Sequence, residues 1–63
     1  MKNKVKELRK SQKLTQEELA ELIGISRQAI NAIEKEKFDP SLPTAFKMAK
    51  LFDLSIEKIF LFK

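Results

Sequence analysis

The chain has 63 residues, no cysteine, no histidine and a formal net charge of +4. We predict a single domain over residues 1–63 with a modest free energy of unfolding, because a chain of this length buries only about 60% of its unfolded surface. The missing residue types exclude disulfides, thiolate metal sites and imidazole catalysis, and the basic excess favours a polyanionic partner.

The first predicted helix extends from about Asn3 to Lys13 and carries most of the positive charge. Val5 and Leu8 supply its buried side. Six basic residues, Arg9 among them, stand against a single acidic residue within the first 13 positions. This run is either the solvated face of an amphipathic helix or a positive field that attracts phosphates, and the sequence leaves both interpretations open.

A capping box predicts the start of the second helix. Thr15 and Glu18 stand at the spacing at which each side chain bonds a backbone N–H of the first turn, so the helix should begin at Gln16. Its apolar face follows at helical spacing: Leu19, Ala20 and Ile23. Gly24 falls where this helix should end, since glycine takes the left-handed conformation at little steric cost.

A third helix is predicted after Ser26, a good N-cap residue, once Ile25 has entered the core at the bend. Its buried stripe consists of Ala29, Ile30 and Ile33. Its outward face holds Arg27, Gln28, Asn31 and Ala32. Arginine pairs with guanine O6 and N7 and glutamine with adenine N6 and N7, so this face suits the reading of DNA bases. The alternative is a plain helical hairpin in a small bundle.

The remainder of the chain predicts a loop, two more helices and no confident strand. Asp39-Pro40 marks a turn in the loop, Ser41 caps a fourth helix and Ser55 caps a fifth. The buried sides of these helices are Leu42, Ala45, Phe46, Met48, Ala49, Phe52, Ile56, Ile59 and Phe60. The three phenylalanines of this set are interpreted as core rather than as nucleotide-stacking residues, whereas the place of Phe38 stays open.

From Val5 to about Phe60 the chain resembles the lambda-repressor-like helix-turn-helix family, of Cro-like or xenobiotic-response-element (XRE) type, and most closely its short bacterial and archaeal members. Much of the match lies in ISRQAINAIEKEKFDPSLPTAFKMAKLF. The resemblance implies an all-α fold, a compact five-helix DNA-binding domain whose helix-turn-helix, residues 15–35, is formed by helices 2 and 3. It also implies a sequence-specific regulator of transcription on double-stranded DNA, and it favours a repressor.

In such repressors the third helix enters the major groove with its N-terminal residues on base edges, while the second crosses the backbone. By motif position the resemblance assigns base reading to Gln28, Arg27, Asn31, Ser26 and Ala32, with Gln28 first. It assigns a phosphate to the side chain and backbone N–H of Gln16, with Thr15 beside it. Lys35 and Lys37 are assigned to phosphates because they follow the recognition helix in a flexible loop.

Glu36 departs from this family, whose members often carry Gly, Asn or Asp at this point because these residues tolerate a left-handed backbone. Either the third helix extends one residue further, or the chain accepts local strain. The extra negative charge should also weaken nearby phosphate contacts. We therefore predict that Glu36→Gly leaves DNA affinity unchanged or raises it.

The apolar end of the chain, residues 60–63, is too short for another helix and has little interior in which to hide. Exposed apolar patches tend to mark interfaces. We predict a homodimer with the contact residues Ile56, Phe60, Leu61 and Phe62. Two-fold dimers of this kind bind palindromic operators with half-sites about 34 to 36 Å apart. The alternative is that the tail folds back onto Val5 and Leu8.

Other functions fit less well. We predict no enzyme, cofactor or metal, because five short helices hardly enclose the pocket that catalysis needs. No apolar run reaches the roughly 18 residues of a membrane span and no cleavable signal pattern opens the chain, so we predict a cytoplasmic bacterial or archaeal protein, located on the nucleoid when bound. A protein partner such as a toxin is the competing interpretation. The operator and the regulated genes stay open.

Overall fold

Five helices follow one another along the chain, and two short strands join its ends. The computed structural model describes residues 1–62, so Lys63 of the predicted tail lies outside the described residues. The strands are β1 (Lys2–Asn3) and β2 (Phe60–Leu61). The helices are α1 (Val5–Ser11), α2 (Gln16–Ile23), α3 (Arg27–Glu34), α4 (Leu42–Phe52) and α5 (Ile56–Ile59). None of these helices, over residues 1–62, is long and apolar enough to span a membrane.

The helices confirm the predicted fold class, and the strands are an addition to it. β1 and β2 pair antiparallel, with Lys2 opposite Leu61 and Asn3 opposite Phe60. The Nδ2 of Asn3 also donates to the carbonyl of Ile33 in α3 at 2.8 Å. The tail therefore folds back on the start of the chain through its backbone, close to the end of α3.

Side-chain caps start three of the four helices for which the sequence predicted one, whereas Ser55 precedes α5 without a side-chain cap hydrogen bond. Ser26 and Ser41 each accept a hydrogen bond from the backbone N–H three residues later, at 3.1 and 3.3 Å. At α2 the capping box is complete, because Thr15 accepts from the Glu18 N–H at 3.0 Å and Glu18 accepts from the Thr15 N–H at 2.8 Å. Each cap satisfies donors that the first turn leaves unpaired, so these starts follow from local chemistry.

The first helix is shorter at both ends than the predicted span from Asn3 to Lys13. At its start, Asn3 belongs to β1, and its side-chain oxygen accepts from the Val5 N–H at 3.1 Å. At its end, Lys13 takes a left-handed φ of 59°. The pairing of β1 with the tail sets the start of α1, and the left-handed turn at Lys13 sets its end. Helical periodicity in the sequence predicts neither.

Four helices are followed by a left-handed residue: Lys13, Gly24, Glu36 and Asp53. After each of them, the next N–H bonds the carbonyl five residues back, which closes the helix C-terminus. Glycine alone takes this conformation without steric cost. The structure thus decides between the two alternatives at Glu36, because α3 stops at Glu34 and the backbone at Glu36 accepts the strain at a φ of 63°.

All five helices contribute to one core: Val5, Leu19, Ala20, Ile23, Ile30, Ile33, Ala45, Met48, Phe52, Ile59 and Phe60. Two predicted core residues of α4 lie instead on the surface, since Leu42 is 66% exposed and Phe46 is 55% exposed. The reason is that α4 carries more apolar residues than one face can bury. These two lie one turn apart, beside the buried stripe.

Candidate nucleic-acid interface

A tight turn at Gly24 joins α2 to α3. The φ of Gly24 is 87°, a conformation in which a side chain would be strained. Lys47 of α4 donates from Nζ to the carbonyl of Ile23 at 3.3 Å, which places a positive charge at the negative end of the α2 dipole. The turn and this contact fix the direction of α3, and with it the residues that face outward.

The N-terminal end of α3 presents polar side chains to solvent. Ser26, Arg27 and Gln28 are exposed, while Asn31 and Ala32, one turn later, are half-buried. The ion pairs among residues 1–62 do not include Arg27. The residues predicted to read bases therefore lie on one face of α3, and the longest two are exposed at its N-terminal end.

A buried ion pair lies beneath this face. Arg9 donates from Nε to Glu34 Oε2 at 2.7 Å and from Nη2 to Glu34 Oε1 at 3.3 Å. Its Nη1 donates to the carbonyl of Leu14 at 2.8 Å. The two side chains are only 10% and 3% exposed. Arg9 therefore does not belong to the basic surface with which the sequence grouped it, and the pair ties α1 to the last residue of α3.

Sequence reasoning missed this pair, although a signal was present. Arg9 stands four residues after Val5, and Glu34 stands four residues after Ile30. Each charged residue therefore falls on the buried stripe of its own helix. Because charged residues are almost never fully buried unless paired, opposite charges on two buried stripes indicate a contact between the helices.

The side chain of Gln16 faces this ion pair. Its Nε2 donates to Glu34 Oε1 at 3.0 Å and to Asn31 Oδ1 at 3.3 Å. These bonds use both amide hydrogens, so in this arrangement the side chain lacks the donor that its predicted phosphate contact needs. The capping box engages the N–H groups of Thr15 and Glu18, which leaves the Gln16 N–H open at the start of α2.

The loop after α3 holds the other predicted phosphate residues. Lys35 and Lys37 are exposed on either side of Glu36. Phe38 is 53% exposed and lines a cleft of about 330 Å³ with Pro40 and with the first turns of α3 and α4. The loop thus combines two lysines, two acidic residues (Glu36 and Asp39) and an aromatic ring beside α3, and Asp39 is paired with the N-terminal amine at 3.1 Å.

Glu36→Gly should raise the free energy of unfolding by about 1 kcal/mol, because glycine takes the left-handed φ without the steric cost of a side chain. It should also raise DNA affinity or leave it unchanged, since a negative charge between two lysines is removed. The measurements are urea unfolding and a DNA titration at fixed salt.

Asp53→Gly is the matched control for Glu36→Gly. It also replaces an acidic residue in the left-handed conformation with glycine, at a φ of 56°, at the position directly after α4. Its effect on stability should be smaller, because aspartate tolerates this conformation better than glutamate does. A loss of DNA affinity in Glu36→Gly but not in Asp53→Gly would contradict the role assigned to the loop.

A second exposed surface is apolar, and we call it the apolar face: the exposed Leu42, Phe46, Leu61 and Phe62 together with Ile56, which is half-buried and packs against the core. Leu42 and Ile56 line one cleft, and Leu61 and Phe62 line another. Of the predicted dimer contacts, Leu61 is 38% exposed and Phe62 is 86% exposed. Phe60, however, is only 6% exposed, so it is a core residue of the single chain and not a surface contact.

Comparison with known proteins identifies the family. A family model described as helix-turn-helix matches residues 5–59. An uncharacterized HTH-type transcriptional regulator of Methanocaldococcus jannaschii is 57% identical over 63 residues, which cover 100% of this chain and 96% of the relative. YgzD, an uncharacterized HTH-type transcriptional regulator of Bacillus subtilis, is 48% identical over 60 residues, which cover 95% of this chain and 91% of the relative.

The fold is also similar to a solved structure. The restriction-modification controller protein C.AhdI of Aeromonas hydrophila superimposes with a TM-score of 0.80 at 32% identity, over 90% of this chain and 86% of the controller. The relatives are regulators rather than enzymes, as the sequence predicted. Since the family model spans α1 to α5, this chain belongs to the XRE-type helix-turn-helix family of DNA-binding transcriptional regulators.

Proposed function

We propose that this chain is a sequence-specific transcriptional repressor that inserts α3 into the major groove of double-stranded DNA. The exposed N-terminal end of α3 carries the proposal. Arg27 and Gln28 extend there into solvent, while Ile30 and Ile33 hold the opposite side of the helix in the core. An α-helix fits the major groove, and polar side chains at its N-terminal end reach base edges.

Gln28 and Arg27 are the first candidates for base readout. Glutamine pairs with adenine and arginine with guanine, and each good pair discriminates by about 1 to 3 kcal/mol. The methyl group of Ala32 offers an apolar contact to thymine. Ser26 acts mainly as a helix cap, because its hydroxyl accepts the Ala29 N–H at 3.1 Å.

Phosphates are held by the start of α2 and by the loop after α3. The open backbone N–H of Gln16 lies at the positive end of the α2 dipole, with Thr15 beside it, which favours an anion. Lys35 and Lys37 add charge on the other side of α3. Such contacts supply affinity and register without reading sequence.

We further propose that two chains bind one palindromic operator. The chain extends 28 Å along its longest axis, which is shorter than the roughly 34 Å between half-sites, so one chain covers one half-site. The apolar face offers a surface for the second copy. A dimer seated on its operator in the cytoplasm represses by excluding other proteins from the same DNA.

The proposal is tested by selecting bound sequences from random duplex DNA across a salt series. We expect an enriched palindromic site and a log-log salt slope of about −0.9 per neutralised phosphate. Gln28→Ala should relax the preference at one base of each half-site by about 1 to 3 kcal/mol, because one bidentate pair is lost. A selected motif that Gln28→Ala leaves unchanged would remove Gln28 from the base readers.

Gln12→Ala is the control, since Gln12 is an exposed glutamine of the turn after α1 whose amide donates to the Leu51 carbonyl at 3.4 Å. It should leave the motif as it is. Failure to enrich any duplex at low salt would reject DNA binding and favour the competing partner, a protein such as a toxin. Salt dependence separates the two further, because counterion release is the signature of phosphate contacts.

A further inference from the structure

We propose that Glu34 sets the hydrogen-bonding polarity of the recognition surface, so that Asn31 meets DNA as a donor. The inference rests on the proposed function and concerns what its surface reads. A row of four side chains, Arg9, Glu34, Gln16 and Asn31, connects the core to the outward face of α3. Glu34 and Arg9 are positioning residues here, since they act on DNA only through the amides.

The first step is the fixed orientation of Glu34. Arg9 donates hydrogen bonds from Nε to Oε2 at 2.7 Å and from Nη2 to Oε1 at 3.3 Å, and the Glu34 side chain is only 3% exposed. A carboxylate paired in this way can only accept hydrogen bonds. Any amide that contacts it must therefore turn its NH₂ group inward.

The second step fixes Gln16. Its amide lies 3.0 Å from Glu34 Oε1 and must present Nε2 to that oxygen. The same nitrogen carries a second hydrogen, which points to the side-chain amide of Asn31 at 3.3 Å. Asn31 can receive this hydrogen only with its oxygen, so the orientation of both amides follows from the charge on Glu34.

The third step concerns what Asn31 offers to DNA. With Oδ1 turned to Gln16, the Nδ2 group is the part of the amide left for an outside partner. A bidentate pair with adenine needs the oxygen and the nitrogen on one edge. A lone donor suits guanine, which has acceptors at both O6 and N7, or thymine O4 better than adenine, whose N7 acceptor lies beside the N6 donor. Asn31 should therefore select against adenine at the base that it contacts.

Gln16→Met tests the relay, because it removes the amide and leaves the Arg9–Glu34 pair in place. In selection from random duplexes, the position that Asn31→Ala relaxes should favour guanine or thymine in the parent chain. Gln16→Met should admit adenine at that same position, with a loss of preference of about tenfold. An unchanged preference in Gln16→Met would overturn the proposal.

Gln16→Pro is the matched control, because it removes the backbone N–H as well as the amide. Gln16 is the first residue of α2, where proline fits, and Thr15 before it is already extended at φ −78° and ψ 165°. We expect Gln16→Pro to weaken all duplexes alike in addition to the change of preference. If Gln16→Met produces that uniform loss without a change of preference, the side chain binds phosphate and the relay is wrong.

A second readout needs no DNA. In the free protein, NMR should show slow solvent exchange for the side-chain amide hydrogens of Gln16 and fast exchange for those of Asn31. In Gln16→Met the Asn31 hydrogens should stay fast, and thermal melting should show that the fold is kept. Slow exchange at Asn31 with fast exchange at Gln16 would overturn the inference and leave the proposed function standing. A chain that enriches no duplex, by contrast, overturns the function itself.

Discussion

Glu34→Ala is expected to lower the free energy of unfolding by about 3 to 5 kcal/mol, because it leaves a charged guanidinium buried without a partner. The Arg9 side chain is only 10% exposed, and Nε and Nη2 would both lose their acceptors. The Nε2 of Gln16 would lose one as well. A domain of this size has a total stability of about 5 kcal/mol or little more, so much of the variant should be unfolded at 25 °C.

Two control variants test whether the loss of stability comes from leaving one buried charge unpaired. Arg9→Met combined with Glu34→Leu should cost clearly less than Glu34→Ala, since an apolar pair has no charge to desolvate and only the hydrogen bonds to the Leu14 carbonyl and from Gln16 are lost. Glu7→Ala, on the exposed side of α1, should change stability by no more than about 0.5 kcal/mol. Urea unfolding followed by circular dichroism measures all three. A loss below about 1 kcal/mol for Glu34→Ala would mean that water screens the pair.

The parts of the fold that the sequence predicted well are those governed by local chemistry. Thr15, Ser26 and Ser41 mark helix starts because a capping side chain bonds an N–H only three residues away. Gly24 marks a helix end because the left-handed conformation is a property of one residue. Such features need no knowledge of distant segments, and the structure confirms each of them.

The parts that the sequence could not predict depend on contacts between distant segments. Arg9 and Glu34 are 25 residues apart, and in a lysine-rich stretch Arg9 resembles a surface residue. β1 and β2 contain two residues each, too few for alternation to be visible. Phe46 satisfies helical periodicity, but only packing decides which of several apolar residues on α4 is left outside.

The candidate site also combines features that the sequence predicts with features that depend on distant contacts. Exposure of Arg27 and Gln28 follows from their place opposite the buried stripe of α3, so the sequence could assign them to the outward face. The inward turn of the Gln16 amide depends on a carboxylate from another helix, which the sequence did not pair with it. A motif position therefore predicts that a residue lies at the interface, while its hydrogen-bond partners decide what it can offer there.

Leu61→Ser combined with Phe62→Ser is expected to convert a dimer into a monomer and to weaken binding to a two-half-site operator by a factor on the order of 100. Half-site affinity should stay the same, because the changes lie outside α3. A stable interface buries about 800 Å² per partner, under one fifth of the 4456 Å² exposed by this chain. Sedimentation equilibrium and paired titrations on whole and half operators measure the two effects.

The structure extends this prediction to residues that the sequence assigned to the core. Leu42→Ser combined with Phe46→Ser should also give a monomer, since both side chains lie on the apolar face and are more than half exposed. Leu22→Ser is the control, because Leu22 is 58% exposed on α2, outside that face. If the parent chain already sediments as a monomer at high concentration, the prediction of a dimer is wrong and single copies of the chain must read the operator. If only the tail variant dissociates, the interface excludes α4 and is confined to the tail beside β1.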